Sequence, residues 1–281
     1  MAGIAAATAL PLVLALVLAL VLAGAPARAQ EPNQTLAAAA PSEVAHTWSA
    51  ARVALPSLNP NDRPTLGRLR DARVRRAMAA IPRGVSLPVV LLFHGCDGIG
   101  DEEESTLLFL MDAGYAVFTP DSFARTGRRS NCAPGVGQIS LAPESHALRQ
   151  EEIAYALSAL RAQPWVDKSR IFAMGYSEGA MAIAGYPGGG FAGLIITAWH
   201  CHGLGAFHGI RAPLDEPVLA IVGSDDPWYH ALKGRHCGEL FNGRPNSLSM
   251  VLPGGKHSVI NSHRVDNSDR AKDAILKFLS R

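Results

Sequence analysis

The residues best suited to chemistry are a serine, an aspartate and a histidine, which occur in that order in the second half of the chain. The serine is Ser177, at the centre of the pentapeptide Gly175-Tyr176-Ser177-Glu178-Gly179. A serine hydroxyl is a poor nucleophile until a histidine takes its proton and a carboxylate orients that histidine. Two glycines placed around a serine in this way are typical of the sharp turn between a strand and a helix that exposes a nucleophile. The pentapeptide therefore predicts acyl-transfer chemistry at Ser177, with an ordinary turn as the alternative.

The acid and the base are expected in loops that follow later strands. Residues 219–223 form an apolar run that ends in glycine, and two aspartates follow it, Asp225 and Asp226. Their side chains point in different directions from the turn, so only one can serve, and we favour Asp226 because it stands three residues beyond the glycine. His257 follows another apolar run and lies in a Gly-rich loop before the last predicted helix, with His263 as the fallback. We therefore predict Asp226 as the acid and His257 as the base.

Acyl transfer also requires N–H donors for the oxyanion of the tetrahedral intermediate. Such donors commonly stabilise the transition state by roughly 3–4 kcal/mol each. The candidates are the backbone N–H of Glu178, directly after the serine, and that of Cys96, in the segment His94-Gly95-Cys96-Asp97-Gly98. His94 is expected to support this segment rather than to act as a base.

Strands and helices must hold these residues together, and the sequence alternates between the two. Continuous apolar runs predict buried strands, and stretches with helical spacing predict the helices between them. The strands are expected at 88–93, 115–119, 170–176, 194–199, 217–223 and 248–252, and the helices at 101–113, 143–162 and 269–279. This alternation predicts an α/β fold with a doubly wound, mainly parallel sheet and helices on both faces. Its site is expected beyond the carboxyl ends of the strands, where the candidate residues fall.

The first part of the chain has the pattern of an export signal. Residues 9–25 are almost wholly apolar and Ala27-Arg28-Ala29 fits a cleavage site, so residues 1–29 are predicted to be a signal peptide. An uncleaved membrane anchor is the alternative, because the apolar run approaches the length of a span. Residues 30–62 are predicted to be a poorly ordered leader and residues 63–281 one α/β domain. The mature protein is then expected to be secreted or periplasmic.

The charge balance argues against a nucleic-acid partner, and the distribution of apolar residues argues against a membrane partner. The chain has 26 Lys and Arg against 24 Asp and Glu, for a net charge of +2. We therefore expect no nucleic-acid partner, because binding to phosphates depends on excess positive charge. No second apolar stretch is long enough to span a bilayer, so no membrane contact is expected after signal cleavage. The oligomeric state is open.

Four cysteines lie beyond the signal region, at Cys96, Cys132, Cys201 and Cys237. In an exported chain an even number favours two disulfides, and four cysteines allow three pairings. We predict Cys96–Cys132, because both follow neighbouring strands at one edge of the sheet. We predict Cys201–Cys237, because the two flank the strand that precedes the predicted acid. Free thiols are the alternative.

Histidines near the second cysteine pair raise the question of a zinc site. His200, Cys201 and His202 are adjacent, and further histidines follow before Cys237. In an extended chain His200 and His202 share one face while Cys201 points away. We therefore expect no metal, and we expect His200 and His202 to line the rim of the site.

Five segments taken together resemble the dienelactone hydrolase family of the α/β-hydrolase superfamily. They are VVLLFHGCDG, GYAVFTPDSFARTG, IFAMGYSEG, VGSDDPW and PGGKHSV, and they cover residues 88–281. The resemblance implies the α/β-hydrolase fold in a single domain, no cofactor, and hydrolysis of small esters or lactones. One departure is the nucleophile, because the founding members use cysteine where this chain has Ser177. The resemblance is therefore to a serine-nucleophile branch, and it does not imply dienelactone as the substrate.

The resemblance also implies that Arg125 or Arg128 contacts an anionic substrate, with solvated loop arginines as the alternative. The function expected from all these residues is an exported serine hydrolase. It would cleave a carboxylic ester or lactone of a small molecule through an acyl-enzyme on Ser177. A non-catalytic binding protein of the same fold is one alternative. An acyltransferase or a polyester depolymerase is another, because both would share the acyl-enzyme.

Overall fold

One sheet of eight strands forms the centre of the fold. The computed structural model describes residues 42–59, 61–132, 143–262 and 264–281. The strands are β1 (Arg52–Leu55), β2 (Thr65–Arg68), β3 (Leu87–Phe93), β4 (Ala116–Thr119), β5 (Val166–Tyr176), β6 (Gly193–Thr197), β7 (Val218–Gly223) and β8 (Leu248–Leu252). Their order in the sheet is β2-β1-β4-β3-β5-β6-β7-β8. β1 is antiparallel to β2 and to β4, and all other neighbours are parallel.

Helices cover both faces of this sheet. Those in the described residues are α1 (Glu43–Ser49), α2 (Ala72–Ala79), α3 (Asp101–Asp112), α4 (Pro143–Arg161), α5 (Glu178–Ala184), α6 (Pro227–Ala231) and α7 (Val265–Leu279). Side chains of α1, α2, α4 and α5 join one hydrophobic core, and side chains of α3 and α7 join a second core on the opposite face. The arrangement confirms the predicted doubly wound, mainly parallel sheet.

The central strand β3 shows why its sequence is apolar without interruption. Val89, Leu91 and Phe93 belong to the first core, whereas Val90 and Leu92 belong to the second, and all five are buried. Successive side chains of a strand point to opposite faces, so a strand covered on both sides must be apolar at every position. Its carboxyl end leads directly into the segment that carries Cys96.

The prediction of a poorly ordered leader over residues 30–62 is wrong for its second part. α1 and β1 lie there, and β1 pairs with β4 in the sheet. Val53 and Leu55 of β1 are buried, and Trp48 of α1 stacks on Phe118 of β4 with ring centroids 5.4 Å apart. The domain therefore begins before its predicted start. Elements of four and seven residues are too short for a clear hydrophobic period, so composition misled the prediction.

The predicted signal peptide, residues 1–29, lies outside the described residues, and so does the first part of the leader. In the ranges that the structure does describe, no helix combines the length and the apolar character needed to cross a membrane.

The revised boundary predicts which shortened chains fold. A chain of residues 63–281 loses β1, and with it the burial of Val53 and Leu55, each of which contributes about 1.5–3 kcal/mol. That loss is comparable with the whole unfolding free energy of a domain, about 5–15 kcal/mol. We expect this chain to be unfolded or aggregated by circular dichroism and light scattering. A chain of residues 42–281 is the control and should melt cooperatively. Equal melting temperatures for the two chains would show that β1 is dispensable.

Candidate active site

Ser177 lies in the turn between β5 and α5, at the carboxyl edge of the sheet. Its backbone has φ 53° and ψ −113°, a conformation that residues other than glycine rarely adopt. The turn is also tightly packed. A Cβ at Gly179 would overlap the carbonyl group of Phe93 in β3, and a Cβ at Gly175 would overlap the backbone of Gly179. Close packing around the serine therefore requires both glycines of the pentapeptide.

Ser177, His257 and Asp226 form one chain of hydrogen bonds. Oγ of Ser177 lies 3.0 Å from Nε2 of His257, and Nδ1 of His257 lies 2.8 Å from Oδ2 of Asp226. The other carboxylate oxygen, Oδ1, accepts a hydrogen bond of 3.0 Å from the N–H of Trp228 at the start of α6. The indole of Trp228 also packs beside the imidazole, with ring centroids 4.3 Å apart. In this geometry His257 can take the serine proton while Asp226 orients the imidazole.

The two candidate aspartates occupy different environments. Asp226 is only 2% exposed, whereas Asp225 is exposed and accepts a hydrogen bond from the hydroxyl of Ser224. The carboxylate that meets His257 is therefore that of Asp226. His263, the fallback base, lies outside the described residues.

Cys96 and Glu178 both line the cavity into which Ser177 opens. Glu178 is the first residue of α5, so its N–H belongs to the donors that a helix start leaves without intrahelical partners. Cys96 lies in the loop between β3 and α3, residues 94–100, which we call the oxyanion loop. Among the described residues, none accepts a hydrogen bond from either N–H. The arrangement is suited to receive a negatively charged oxygen beside Ser177.

A buried ionic cluster lies behind the oxyanion loop. Oε1 of Glu178 accepts hydrogen bonds from Arg128 and Arg149 at 2.6 and 3.0 Å, and Oε2 accepts one from Asn131 at 2.7 Å. Arg149 is fully buried and also donates to the carbonyl of His94 at 2.8 Å. Charges this deeply buried require partners, because an unpaired one would cost several kcal/mol. The cluster therefore fixes the start of α5 to the oxyanion loop.

His94 supports the oxyanion loop as a neutral side chain, as its position in the sequence suggested. Its Nε2 accepts a hydrogen bond of 3.0 Å from the N–H of Ser122. Its Nδ1 lies 2.7 Å from the carbonyl oxygen of Gly95, to which it can only donate. Burial, and then the charge of Arg149, hold the pKa of His94 well below its ordinary value. A neutral imidazole can both donate and accept, which these two contacts require.

Sequence reasoning missed Arg149 and two glutamates, Glu102 and Glu103. The glutamates lie in the first turn of α3, and their carboxylates accept hydrogen bonds from the loop after His257 and from the oxyanion loop. Burial is the main cause of the raised pKa of Glu103. Acidic residues are common at helix starts, where they meet the positive end of the helix dipole. No signal in the sequence distinguishes these two buried acids from solvated ones.

Arg125 and Arg128, the two arginines that the resemblance implied, are not among the described residues that line the cavity. Arg125 donates to Glu151 and Glu152 at 3.0 Å each, and Arg128 pairs with Glu178. Their side chains are 6% and 2% exposed, so the alternative of solvated loop arginines is wrong. Both guanidinium groups are paired with carboxylates, so the expected contact with an anionic substrate stays a prediction.

The four cysteines form the two predicted disulfides. Cys96 is bonded to Cys132 with Cα atoms 5.2 Å apart, and Cys201 to Cys237 with Cα atoms 4.9 Å apart. The first bridge joins the oxyanion loop to the segment after β4. The second is buried behind the sheet edge, where it joins the segments after β6 and α6. Because these sulfurs are bonded to each other, they offer no thiolates to a metal ion.

His200 and His202 are packed into the protein and do not line the cavity, so the expectation that they form its rim is wrong. Nδ1 of His200 accepts a hydrogen bond of 2.9 Å from the N–H of His202. The ring of His200 packs on Trp199 with centroids 4.0 Å apart, and burial lowers its pKa to about 4. The contacts of these two histidines are with neighbouring described residues, so we assign them a part in packing.

The cavity in front of Ser177 has a volume of about 670 Å³. Much of its wall is apolar or aromatic, with Met181, Trp199, Phe207 and Trp228 among the lining residues. This volume falls within the usual range for small-molecule sites, about 300–1,000 Å³. The cavity is therefore large enough to hold a substrate of that class beside the serine.

Comparisons with known proteins bear on the family and the fold of the chain. The sequence profile of the dienelactone hydrolase family matches residues 75–280, and it confirms the resemblance read from the five segments. A search of curated proteins finds no match.

Solved structures show the same fold at low sequence identity. A dienelactone hydrolase-type protein from Klebsiella pneumoniae has a TM-score of 0.57 at 14% identity, over 83% of this chain and 99% of its own. A dienelactone hydrolase-like promiscuous phosphotriesterase from metagenomic libraries has a TM-score of 0.53 at 20% identity, over 70% and 87%. The Est1E protein of Butyrivibrio proteoclasticus, solved with ferulic acid, has a TM-score of 0.52 at 12% identity, over 82% and 95%.

The environments of the two aspartates predict different effects of matched substitutions. Asp226→Asn should lower the turnover of a chromogenic ester by on the order of 10⁴-fold, because an amide favours the wrong tautomer of His257. Asp225→Asn is the control, and it should leave turnover within about twofold, because surface substitutions rarely matter. Circular dichroism should show both variants folded. The opposite pattern would assign the acid to Asp225.

The two disulfides offer a second matched comparison, because each pair is separated by 36 residues. Loss of either bridge should therefore lower the unfolding free energy by a similar amount, at most about 4 kcal/mol. Cys96→Ser with Cys132→Ser should also lower kcat by about tenfold or more, because displaced oxyanion donors stabilise the transition state less well. Cys201→Ser with Cys237→Ser should leave kcat largely unchanged. An equal effect of both pairs on kcat would show that the Cys96–Cys132 bridge has no specific role in catalysis.

Proposed function

The chain belongs to the dienelactone hydrolase family, which makes it a hydrolase of ester bonds, and from that premise we propose that it cleaves a carboxylic ester or lactone through an acyl-enzyme on Ser177. The observation that carries the proposal is the continuous hydrogen-bond chain from Ser177 through His257 to Asp226, at 3.0 and 2.8 Å. Such a chain on the correct strand ends is the geometry that general-base activation of a serine requires.

The proposed reaction has two matching halves. Nε2 of His257 takes the Ser177 proton as Oγ attacks the carbonyl carbon, and the N–H groups of Cys96 and Glu178 receive the oxyanion. The intermediate collapses as His257 returns that proton to the leaving alcohol, which departs. Water then loses a proton to His257 and attacks the acyl-enzyme. The second intermediate releases the carboxylic acid and restores the serine hydroxyl.

We infer that the substrate is an uncharged ester with a bulky apolar or aromatic group. The carboxylates of Asp97 and Asp101 lie exposed at the cavity, and they oppose an anion. Among the described residues that line the cavity, the one arginine is Arg149. Its guanidinium group forms an ion pair with Glu178, so it is not free to attract an anion. Burial also lowers the pKa of His146 in the cavity wall, which favours its neutral form.

We further propose that the protein acts outside the cytoplasm, as a periplasmic or secreted enzyme. Two disulfides support this, because such bonds persist in oxidising compartments and are rare in the cytosol. The apolar run of residues 9–25 and the cleavage pattern after it supply a route. Mass spectrometry of the protein recovered from its native compartment should show a new N-terminus near residue 30. An uncleaved chain would instead indicate the membrane anchor.

The nucleophile is tested with Ser177→Ala and a fluorophosphonate probe. The wild-type protein should hydrolyse chromogenic esters and carry the probe on Ser177. The alanine variant should lose the label and about 10³-fold or more of its turnover. Ser145→Ala is the control, because Ser145 lines the same cavity but takes no part in the triad. Ester turnover that survives in Ser177→Ala would overturn the proposal.

A further inference from the structure

The first turn of α3 contains three consecutive glutamates, and each has a different partner. Glu104 pairs with Arg52 at 2.7 Å in a partly exposed ion pair on the outside of the domain. Glu102 and Glu103 are only 6% and 3% exposed, and their carboxylates point into the site region. One helical turn thus offers two buried acids and a neighbouring surface acid for comparison.

Glu102 holds the loop that carries His257. Its Oε1 accepts hydrogen bonds from the N–H groups of Val259 and Ile260 at 2.9 and 2.7 Å, and Oε2 accepts one from Asn261 at 2.7 Å. Three successive backbone donors therefore converge on one carboxylate, two to four residues after the imidazole. Hydrogen bonds to a charged acceptor are about twice as strong as neutral ones.

Glu103 holds the oxyanion loop in a similar way. Its Oε1 accepts a hydrogen bond from the N–H of Gly95, and its Oε2 accepts one from the N–H of Gly100, both at 2.9 Å. Gly95 directly precedes Cys96, so the carboxylate fixes the peptide next to the proposed oxyanion donor. The bond to Gly100 also closes the start of α3 itself.

Because neighbouring residues of one rigid helix hold the two loops, we propose that Glu102 and Glu103 are positioning residues that set the distance between His257 and the oxyanion donor of Cys96. The proposal rests on the proposed acyl-transfer function. His257 moves the proton and Cys96 receives the oxyanion, so both must face the same reacting carbonyl. A shift of either loop would leave one of the two groups out of place.

The energetics favour positioning over simple stabilisation of the fold. Two adjacent carboxylates that are both removed from water repel each other and lose solvation. Five charge-assisted hydrogen bonds offset that cost, so the net gain in stability is small while the geometry is tightly specified. Burial of this kind is therefore better explained by the precision it gives to the two loops.

The test compares Glu102→Gln, Glu103→Gln and the control Glu104→Gln in the full chain. A glutamine places an NH₂ group against a backbone N–H, so each of the first two variants loses an acceptor that its loop requires. We expect kcat for a chromogenic ester to fall by about 10- to 100-fold with KM within about threefold, because small displacements of reacting groups are costly. Glu104→Gln should retain kcat within about twofold, because a partly exposed ion pair is worth little.

A stability control separates positioning from general destabilisation. Val74→Ala removes buried volume in α2, beside the β2 edge of the sheet, and should lower Tm without touching the site. If kcat of the glutamine variants falls no further than that of Val74→Ala at equal loss of Tm, the proposal is wrong. Where a glutamine variant does not fold, the aspartate variant of the same residue replaces it, Glu102→Asp or Glu103→Asp. Its kcat should also fall, but by less than that expected for the glutamine variant.

Hydrogen exchange followed by mass spectrometry reads the two contacts without requiring activity. Glu102→Gln should speed exchange in peptides covering residues 257–262 and spare those covering 93–100, whereas Glu103→Gln should do the reverse. Exchange unchanged in both variants would overturn the proposal. If the wild-type protein cleaves no ester and Ser177 takes no probe, the proposed function fails, while the exchange pattern still decides whether the glutamates hold the two loops.

Discussion

The tight turn at Ser177 is the constraint on which the rest of the site depends. A residue at φ 53° is strained, and the turn persists because β3, β5 and α5 are packed closely around it. The carbonyl of Phe93 occupies the space that any side chain at position 179 would need. Since Phe93 ends β3, the same contact places the oxyanion loop beside the serine. The glycine spacing of the turn and the position of the proposed oxyanion donor thus follow from one steric requirement.

The strands at the centre of the sheet could be predicted because burial on both faces leaves a continuous apolar run, as in β3 and β7. The predicted triad could be named because its residues follow these strands in a fixed order. β1, β2 and α2 were missed because they are short and lie near the edge of the sheet, where polar residues mix with buried ones. Tertiary contacts, such as that of Trp48 with Phe118, decide whether such short segments are ordered.

Buried charged side chains are a second feature, after the short edge elements, that the sequence does not predict. Arg125, Arg128 and Arg149 occur in polar stretches and have the composition of solvated residues, yet each is buried against a carboxylate. The partners lie 26 to 50 residues away in these three pairs, and the pairing depends on how helices cross the sheet. A sequence pattern records the charge of a side chain but not the burial of its partner. The same limit hid the role of the acids in α3.

Asp226 divides its two oxygens between different tasks, with Oδ1 capping the five-residue helix α6 and Oδ2 bound to the imidazole of His257. A helix of this length has little stability of its own, so its first turn is among the elements that open at low energetic cost. When that turn frays, the carboxylate loses the contact that fixes its direction, and the imidazole loses its orientation with it. If Asp226 orients His257 in the proposed mechanism, heat inactivation would precede global melting, and one turn of helix would limit the working temperature range before the core does.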